Sequence, residues 1–124
     1  MPFVNITLTQ PLAAAQKQQL LQRTSDVVMQ ALDTPLPSVR ILLQELPQGH
    51  YFCGGKFDVP AVLYNIDMIE GRTNEAKARL IAGLSQVAHE ITGIAEAEIR
   101  VRVSDFLKDN FGMAGGITAR AAGR

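Results

Sequence analysis

The first predicted element is a strand at residues 2–8, where apolar and polar positions alternate. Val4, Ile6 and Leu8 fall on one side of this alternation, and the β-branched content fits a pleated, half-buried surface. A strand that begins this early in the chain places its first residue at one end of the fold.

The pattern then changes to the helical period. Apolar residues recur at spacings of three and four up to Leu32, and Thr9-Gln10-Pro11 predicts the helix start because proline is favoured in a first turn. Pro35 and Pro37 end the helix, since neither can continue its hydrogen-bond ladder. A second strand is predicted over residues 38–45. A strand, a helix and a strand in succession favour parallel pairing of the two strands.

The same succession returns sixty positions later. It consists of a strand over residues 61–68, a helix capped by Thr73 and ended by Gly93, a strand over 98–105, and a glycine-rich hairpin over 110–116. The matching pairs are Asn5-Ile6 with Asn65-Ile66, Leu20-Leu21 with Leu80-Ile81, and Val39-Arg40 with Ile99-Arg100. We therefore predict one domain, 1–124, made of two β-α-β repeats, 1–58 and 59–124.

This repeat predicts an α+β fold in which the four long strands form one mixed sheet. Both helices should pack on one face of that sheet, because a single β-α-β unit leaves its sheet half covered. The strands carry apolar residues on both sides, so the second face should also be buried. Oligomerisation is the simplest way to bury it.

The composition of the chain argues against several classes of function. The chain has 124 residues, 47% of them apolar and 19% charged, and its formal net charge is zero. Nucleic-acid binding needs a basic surface, so we expect no nucleic-acid partner. The single Cys53 cannot form an internal disulfide, and one cysteine with two histidines predicts no metal site. Neither a leader pattern nor a membrane span is visible, which predicts a cytoplasmic protein without a membrane partner.

Pro2 is the most unusual chemical group in the sequence. If Met1 is removed, its ring nitrogen becomes a secondary amine with a lone pair, fixed in direction by a rigid strand. Every other proline in the chain has an amide nitrogen with no basic character. A chance proline at this position is the alternative interpretation when the residue is considered alone.

Several further motifs carry a family resemblance together with Pro2 and the repeat. They are Pro35-Leu36-Pro37-Ser38-Val39-Arg40, Gly49-His50-Tyr51 before Gly54-Gly55, Glu70-Gly71-Arg72-Thr73-Asn74-Glu75 with Lys77, and Phe111-Gly112 before Gly115-Gly116. With these motifs the chain resembles the tautomerase superfamily, whose members use an amino-terminal proline. It is most similar to 4-oxalocrotonate tautomerase with two subunits fused into one chain, and the macrophage migration inhibitory factor branch shares the architecture.

The resemblance implies a keto–enol tautomerase that needs no cofactor and acts on small unsaturated carboxylates. Pro2 would be the general base. The arginines Arg40, Arg72 and Arg100 would hold substrate carboxylates, and Tyr51 or Phe111 would form an apolar wall. It also implies a homotrimer of fused chains.

The two halves differ at two positions that matter for this chemistry. In the repeat, Val62 stands where Pro2 stands, and Leu12 stands where Arg72 stands. One half thus keeps the amine and the other keeps the turn arginine. The family resemblance then implies one working site per fused chain.

Two other functions stay open at this point. Related enzymes hydrate or dehalogenate haloacrylates or decarboxylate a semialdehyde, and they need an acidic group near the amine. Glu45 and Asp105, near strand ends, are the candidates for that group. The other alternative is a trimeric binding scaffold without enzyme activity.

Overall fold

A computed structural model describes all 124 residues, and its elements follow the predicted repeat. The two helices are α1 (Ala14–Leu32) and α2 (Asn74–Thr92). The long strands are β1 (Phe3–Leu8), β2 (Arg40–Glu45), β5 (Val62–Ile69) and β6 (Ile99–Phe106). Two small hairpins are formed by β3 (Phe52–Cys53) with β4 (Lys56–Phe57) and by β7 (Gly112–Met113) with β8 (Ile117–Thr118).

The four long strands form one mixed sheet in the order β2-β1-β5-β6. The pairs β1–β2 and β5–β6 are parallel, as the two β-α-β units require, and β1 pairs with β5 in the antiparallel direction. In this central pair Asn5 lies opposite Asn65, its own equivalent in the repeat. The two halves are therefore related by a local twofold axis between these asparagines.

The twofold axis defines two ends of the sheet. At the Pro2 end, β1 and β2 begin while β5 and β6 finish, since Phe3 pairs with Asp67. At the Val62 end, β5 and β6 begin while β1 and β2 finish. Residues equivalent in the repeat consequently lie at opposite ends.

Both helices cover the same face of the sheet, which confirms the predicted α+β arrangement. The core joins the inward positions of the strands to the apolar sides of α1 and α2. It also holds one polar pair, Thr24 of α1 and Tyr64 of β5, whose hydroxyls lie 3.1 Å apart. Burial raises the pKa of Tyr64 to about 12, so this phenol stays neutral. Neither helix combines the length and apolar character that a membrane crossing needs.

The predicted start of α1 is wrong by several residues. The helix begins at Ala14, and Thr9 does not cap it. The Thr9 hydroxyl instead donates to the Val59 carbonyl at 2.9 Å and accepts the Ala61 N–H at 2.7 Å, which ties the end of β1 to the start of β5. In α2 the prediction is confirmed, because the Thr73 hydroxyl accepts the Ala76 N–H at 3.1 Å.

The uncovered face of the sheet is more polar than the sequence pattern indicated. Its half-buried or exposed polar side chains include Asn5, Thr7, Gln44, Asn65, Arg102 and Ser104, and its apolar side chains include Phe3, Leu42 and Leu63. Alternation along the strands sends most apolar side chains to the helices. Apolar residues thus lie on both sides of the strands, as the sequence predicts, but the uncovered side carries fewer of them.

The two helices approach closely at Gly83 in the interior of α2. A Cβ atom placed at Gly83 would lie 2.8 Å from Cγ1 of Val27 in α1. Valine in a helix is held in essentially one rotamer, so this methyl group cannot easily move away. The absence of a side chain at Gly83 permits the observed packing.

We predict that Gly83→Ala destabilises the protein by about 1 kcal/mol. At a solvent-exposed position in a helix, the same substitution stabilises the folded protein by about 1 kcal/mol. In a Val27→Ala background the obstructing methyl groups are gone, and Gly83→Ala should then be stabilising. Urea unfolding of the four proteins at one concentration measures both effects. Equal stabilisation in both backgrounds would contradict the close-packing explanation.

Candidate active site

The beginning of β1 is enclosed by its two neighbouring strands. Pro2 is buried, and its carbonyl accepts the Arg40 N–H of β2 at 3.2 Å. On the other side, β5 ends beside Phe3 through the pairing of Phe3 with Asp67. The Pro2 carbonyl is thus held by β2, and the next residue, Phe3, is paired with strands on both sides.

Arg72, which follows β5, lies near the beginning of β1 because β5 runs antiparallel to β1. The turn that follows β5 is anchored to β6: the Glu70 N–H donates to the Phe106 carbonyl at 2.9 Å, and the Glu70 carboxylate accepts the Lys108 N–H at 3.0 Å. Gly71 takes a φ of +120°, a conformation that a residue with a side chain rarely adopts. The turn therefore has a defined shape, and it places Arg72 near the first residues of the same chain.

An apolar cluster closes the same end of the sheet. Its buried members are Ile69, Phe111 and Ala119, and Met1, Phe3, Phe106 and Met113 pack against them. The rings of Phe106 and Phe111 meet edge to face, with centroids 5.8 Å apart and planes at 78°. Phe111 is thus part of an apolar surface against the chain start.

The chain start is partly buried and lies near two positive charges. The pKa of the Met1 amino group lies below its ordinary value, first because of partial burial and then because of the positive charges of Arg72 and Arg124. Both effects disfavour an ammonium ion. An amine at this place is therefore more readily unprotonated than one in water.

Arg124 was missed by the sequence reasoning, which left residues 117–124 without a role. This arginine reaches the site only because Ala119 is buried in the cluster and its own N–H donates to the Ala119 carbonyl at 2.9 Å. A short glycine- and alanine-rich segment carries no periodic pattern. No local signal could have placed Arg124 beside the chain start.

Arg40 lies at the Pro2 end through its backbone. It pairs in register with Phe3, and its side chain is exposed on the uncovered face of the edge strand β2. Its guanidinium group is available at the rim of this end of the sheet.

Arg100 and Tyr51 lie at the opposite, Val62 end. Arg100 pairs with Leu63 at the start of β6, and its guanidinium donates to the Ala97 carbonyl. Tyr51 is near it: burial and the neighbouring Cys53 raise the pKa of Tyr51, while Arg100 acts in the opposite direction. One chain therefore brings Pro2, Arg72 and Phe111 together, and the twofold axis separates Arg100 and Tyr51 from them.

The two acidic candidates are both engaged in ion pairs. Glu45 lies 2.6 Å from Lys17 and accepts the Leu12 N–H at 2.7 Å, and these contacts hold its pKa below the ordinary value. Asp105 pairs with Lys77 of α2. Glu45 is also at the Val62 end of the sheet, so neither carboxylate is a free acid beside Pro2.

Sequence comparisons place the chain among tautomerases. The family model for tautomerase enzymes matches residues 2–57 and 63–120. A 2-hydroxymuconate tautomerase of Pseudomonas putida is 42% identical over 59 residues, which are 48% of this chain and 92% of that protein. The Bacillus subtilis 2-hydroxymuconate tautomerase is 36% identical over 50 residues, covering 40% and 81%.

Solved structures match the whole duplicated chain. A protein designated Pt0534, crystallised after inactivation by 2-oxo-3-pentynoate, is 52% identical with a TM-score of 0.96, covering 98% of this chain and 99% of that one. A fused 4-OT solved as a symmetric trimer is 38% identical with a TM-score of 0.94 and the same coverage. Macrophage migration inhibitory factor of Toxoplasma gondii, at 21% identity and a TM-score of 0.79 over 91% and 96% of the two chains, shares the fold. Since both repeats match the family model, this chain belongs to the tautomerase enzyme family.

Proposed function

We propose that this enzyme moves a proton within small unsaturated 2-hydroxy or 2-oxo carboxylates, with the Pro2 nitrogen as general base after removal of Met1. One observation carries the proposal. The first residues of the chain lie at the end of the sheet that also receives Arg72 and the apolar surface of Phe111. The names of the relatives, 2-hydroxymuconate tautomerases, support this substrate class.

The proton transfer needs only one basic nitrogen. Pro2 takes the proton from the enol hydroxyl, the electrons move through the conjugated system, and the same proton is returned to a distal carbon. The enol becomes a ketone, and no atom is gained or lost. A base of this kind must be largely unprotonated at the working pH.

The surroundings of the chain start favour the unprotonated amine. Burial and the charges of Arg72 and Arg124 disfavour a charged amine at the chain start. The same positive charge favours the dienolate that forms while the proton is on Pro2. Arg72 thus has two roles in the proposal, since its guanidinium can also bind a substrate carboxylate through two hydrogen bonds.

A complete site requires neighbouring chains. Arg100 and Tyr51 lie at the Val62 end of their own sheet, so they can contribute to a Pro2 site only from another copy. Arg40, which is exposed on the edge strand β2, can also contribute to the Pro2 site of another copy. A fused 4-OT solved as a symmetric trimer supports a homotrimer, in which the uncovered sheet faces and the edge strands would be covered.

The alternative functions lack a specific observation in their favour. Hydration, dehalogenation or decarboxylation needs an acid near the amine, and Glu45 and Asp105 are both held in ion pairs. The scaffold hypothesis is supported by a likeness of fold alone. The cytoplasmic location stays a prediction from the sequence, and nothing in the proposed chemistry depends on it.

We predict that tautomerase activity is proportional to the fraction of chains that lack Met1, because an amide nitrogen has no lone pair to accept a proton. Intact-mass spectrometry measures that fraction, and turnover of 2-hydroxymuconate measures activity. Pro2→Ala should lower kcat by roughly 10²-fold, within the range for loss of a positioned base, since a primary amine is not fixed by a ring. Full activity in chains that retain Met1 would exclude Pro2 as the base.

We predict that Arg72→Gln moves the acidic limb of the pH profile of kcat/KM to higher pH. Removing a positive neighbour raises the pKa of the amine, so the base is protonated at a higher pH than in the wild type. Arg79→Gln is the matched control, because Arg79 lies on the outer side of the helix pair. If both variants leave the limb in place, Arg72 does not tune the base.

We predict a trimer in solution, because a single chain leaves one sheet face and two edge strands uncovered. Size-exclusion chromatography with light scattering should give a mass of three chains. A stable monomer with wild-type activity would show that Arg100 and Tyr51 take no part in the site.

A further inference from the structure

We infer that a groove between α1 and α2, here called the helix groove, is a second binding site, for small apolar molecules that carry a single carboxylate. The helix groove encloses about 320 Å³, within the range of small-molecule pockets. It is lined by Arg23, Val27, Gln30 and Ala31 of α1 and by Arg79, Gly83, Gln86 and Val87 of α2. The inference does not rest on the proposed function, because the helix groove lies on the helices and Pro2 lies at an end of the sheet.

The floor of the helix groove is apolar and fixed by close packing. At its centre the helices meet at Gly83, where an added Cβ atom would lie 2.8 Å from Cγ1 of Val27. On either side of this contact the floor continues with Ala31 and Val87, which are both buried. The helix groove therefore offers a continuous apolar surface that does not have to form when a ligand binds.

Each end of the helix groove has an arginine from one helix and a glutamine from the other. The helices run in opposite directions, because each returns antiparallel to the strands of its own repeat and β1 is antiparallel to β5. From the contact of Val27 with Gly83, Arg79 lies one turn back along α2, and Gln30 lies one turn forward along α1. Arg79 and Gln30 consequently share one end. One turn on each side of the contact gives the helix groove a length of about 12 Å.

At the opposite end the charge of the arginine is already matched. The Arg23 guanidinium lies 2.7 Å from the Glu90 carboxylate. The same carboxylate accepts a hydrogen bond from the Gln86 amide at 3.1 Å. This end therefore has no unmatched charge that would attract an ion.

At the Arg79 end the donors are free. The Arg79 and Gln30 side chains are exposed, and they take part in none of the ion pairs or side-chain hydrogen bonds of the chain. The nearest acidic residues along the two helices, Asp26 and Glu75, do not line the helix groove. A guanidinium group binds a carboxylate through two hydrogen bonds. One carboxylate at this end, with its apolar body along the floor, matches both the charge and the shape.

The repeat provides an internal comparison. Four of the eight lining positions change on the other side of the twofold axis: Gln30, Ala31, Arg79 and Gln86 have the equivalents Glu90, Ile91, Gln19 and Asp26. The change introduces two carboxylates and a larger apolar side chain, and no cavity is present there. The packing of two helices alone thus does not produce the helix groove, which depends on residues of one side.

The helix groove remains accessible in the proposed homotrimer, which covers the edge strands and the sheet face opposite the helices. It is open along one side and offers one charged contact. We therefore expect weak binding, in the millimolar range.

The test uses octanoate as the probe and octanamide as the matched ligand with the same apolar chain and no charge. Two amide signals in NMR spectra of isotope-labelled protein separate the sites: Gly83 lies in the helix groove, and Gly71 lies beside Arg72 at the Pro2 end. Octanoate should shift the Gly83 signal in a saturable way. Octanamide should bind there about tenfold more weakly, since it lacks the charge that Arg79 would bind.

Arg79→Gln should weaken octanoate binding at the Gly83 signal about tenfold and leave the turnover of 2-hydroxymuconate unchanged. The control is the double variant Arg23→Gln with Glu90→Gln. It removes the matched ion pair from the other end without changing the net charge, so the Kd for octanoate should change less than about twofold.

The inference is overturned if the Gly83 signal does not move, if both ligands bind there equally, or if Arg79→Gln leaves binding intact. A shift confined to Gly71 would mean that octanoate binds only at the Pro2 end, and it would also overturn the inference. So would an assembly larger than three chains that is lost in Arg79→Gln, because a second copy would then fill the helix groove. None of these outcomes depends on tautomerase activity, so they are distinct from failure of the proposed function.

Discussion

The antiparallel pairing of β1 with β5 is the interaction on which the rest of the structure depends. It joins two β-α-β units into one sheet, and it does so with Asn5 opposite Asn65, so that equivalent residues face each other. The helix of each repeat covers only the strands of that repeat. Because the pairing of β1 with β5 puts α1 and α2 side by side on one face, the two repeats share a single core. The twofold axis also decides which residues meet at each end.

The two ends have the same framework but different chemistry. The ion pair of Lys17 with Glu45 is repeated as Lys77 with Asp105, which shows that the helix-to-strand support is kept in both halves. The residues that carry chemistry are not kept. At the Pro2 end the second half contributes Arg72 and Phe111, whereas the Val62 end has Leu12 and Tyr51 at the equivalent positions. Duplication thus preserved packing while only one end retained a potential base.

The positive charge at the Pro2 end links the fold to the proposed chemistry. A carboxylate ligand and an unprotonated amine both benefit from nearby guanidinium groups, because positive charge attracts the first and disfavours protonation of the second. Strand ends and turns of the sheet supply these groups.

By itself, the sequence determined the two repeats, the parallel pairing within each of them, the Thr73 cap of α2 and the candidate base Pro2. These features depend on local periodicity, on turn residues and on a single unusual position, all of which are visible along the chain. Only the tertiary structure decided that Thr9 ties two strands instead of starting a helix, and that Thr24 and Tyr64 share a buried hydrogen bond. It also separated Arg100 from Pro2 and brought Arg124 near it. These outcomes follow from contacts between residues far apart in sequence, whose partners are set by the direction of one strand pair and leave no periodic trace in the chain.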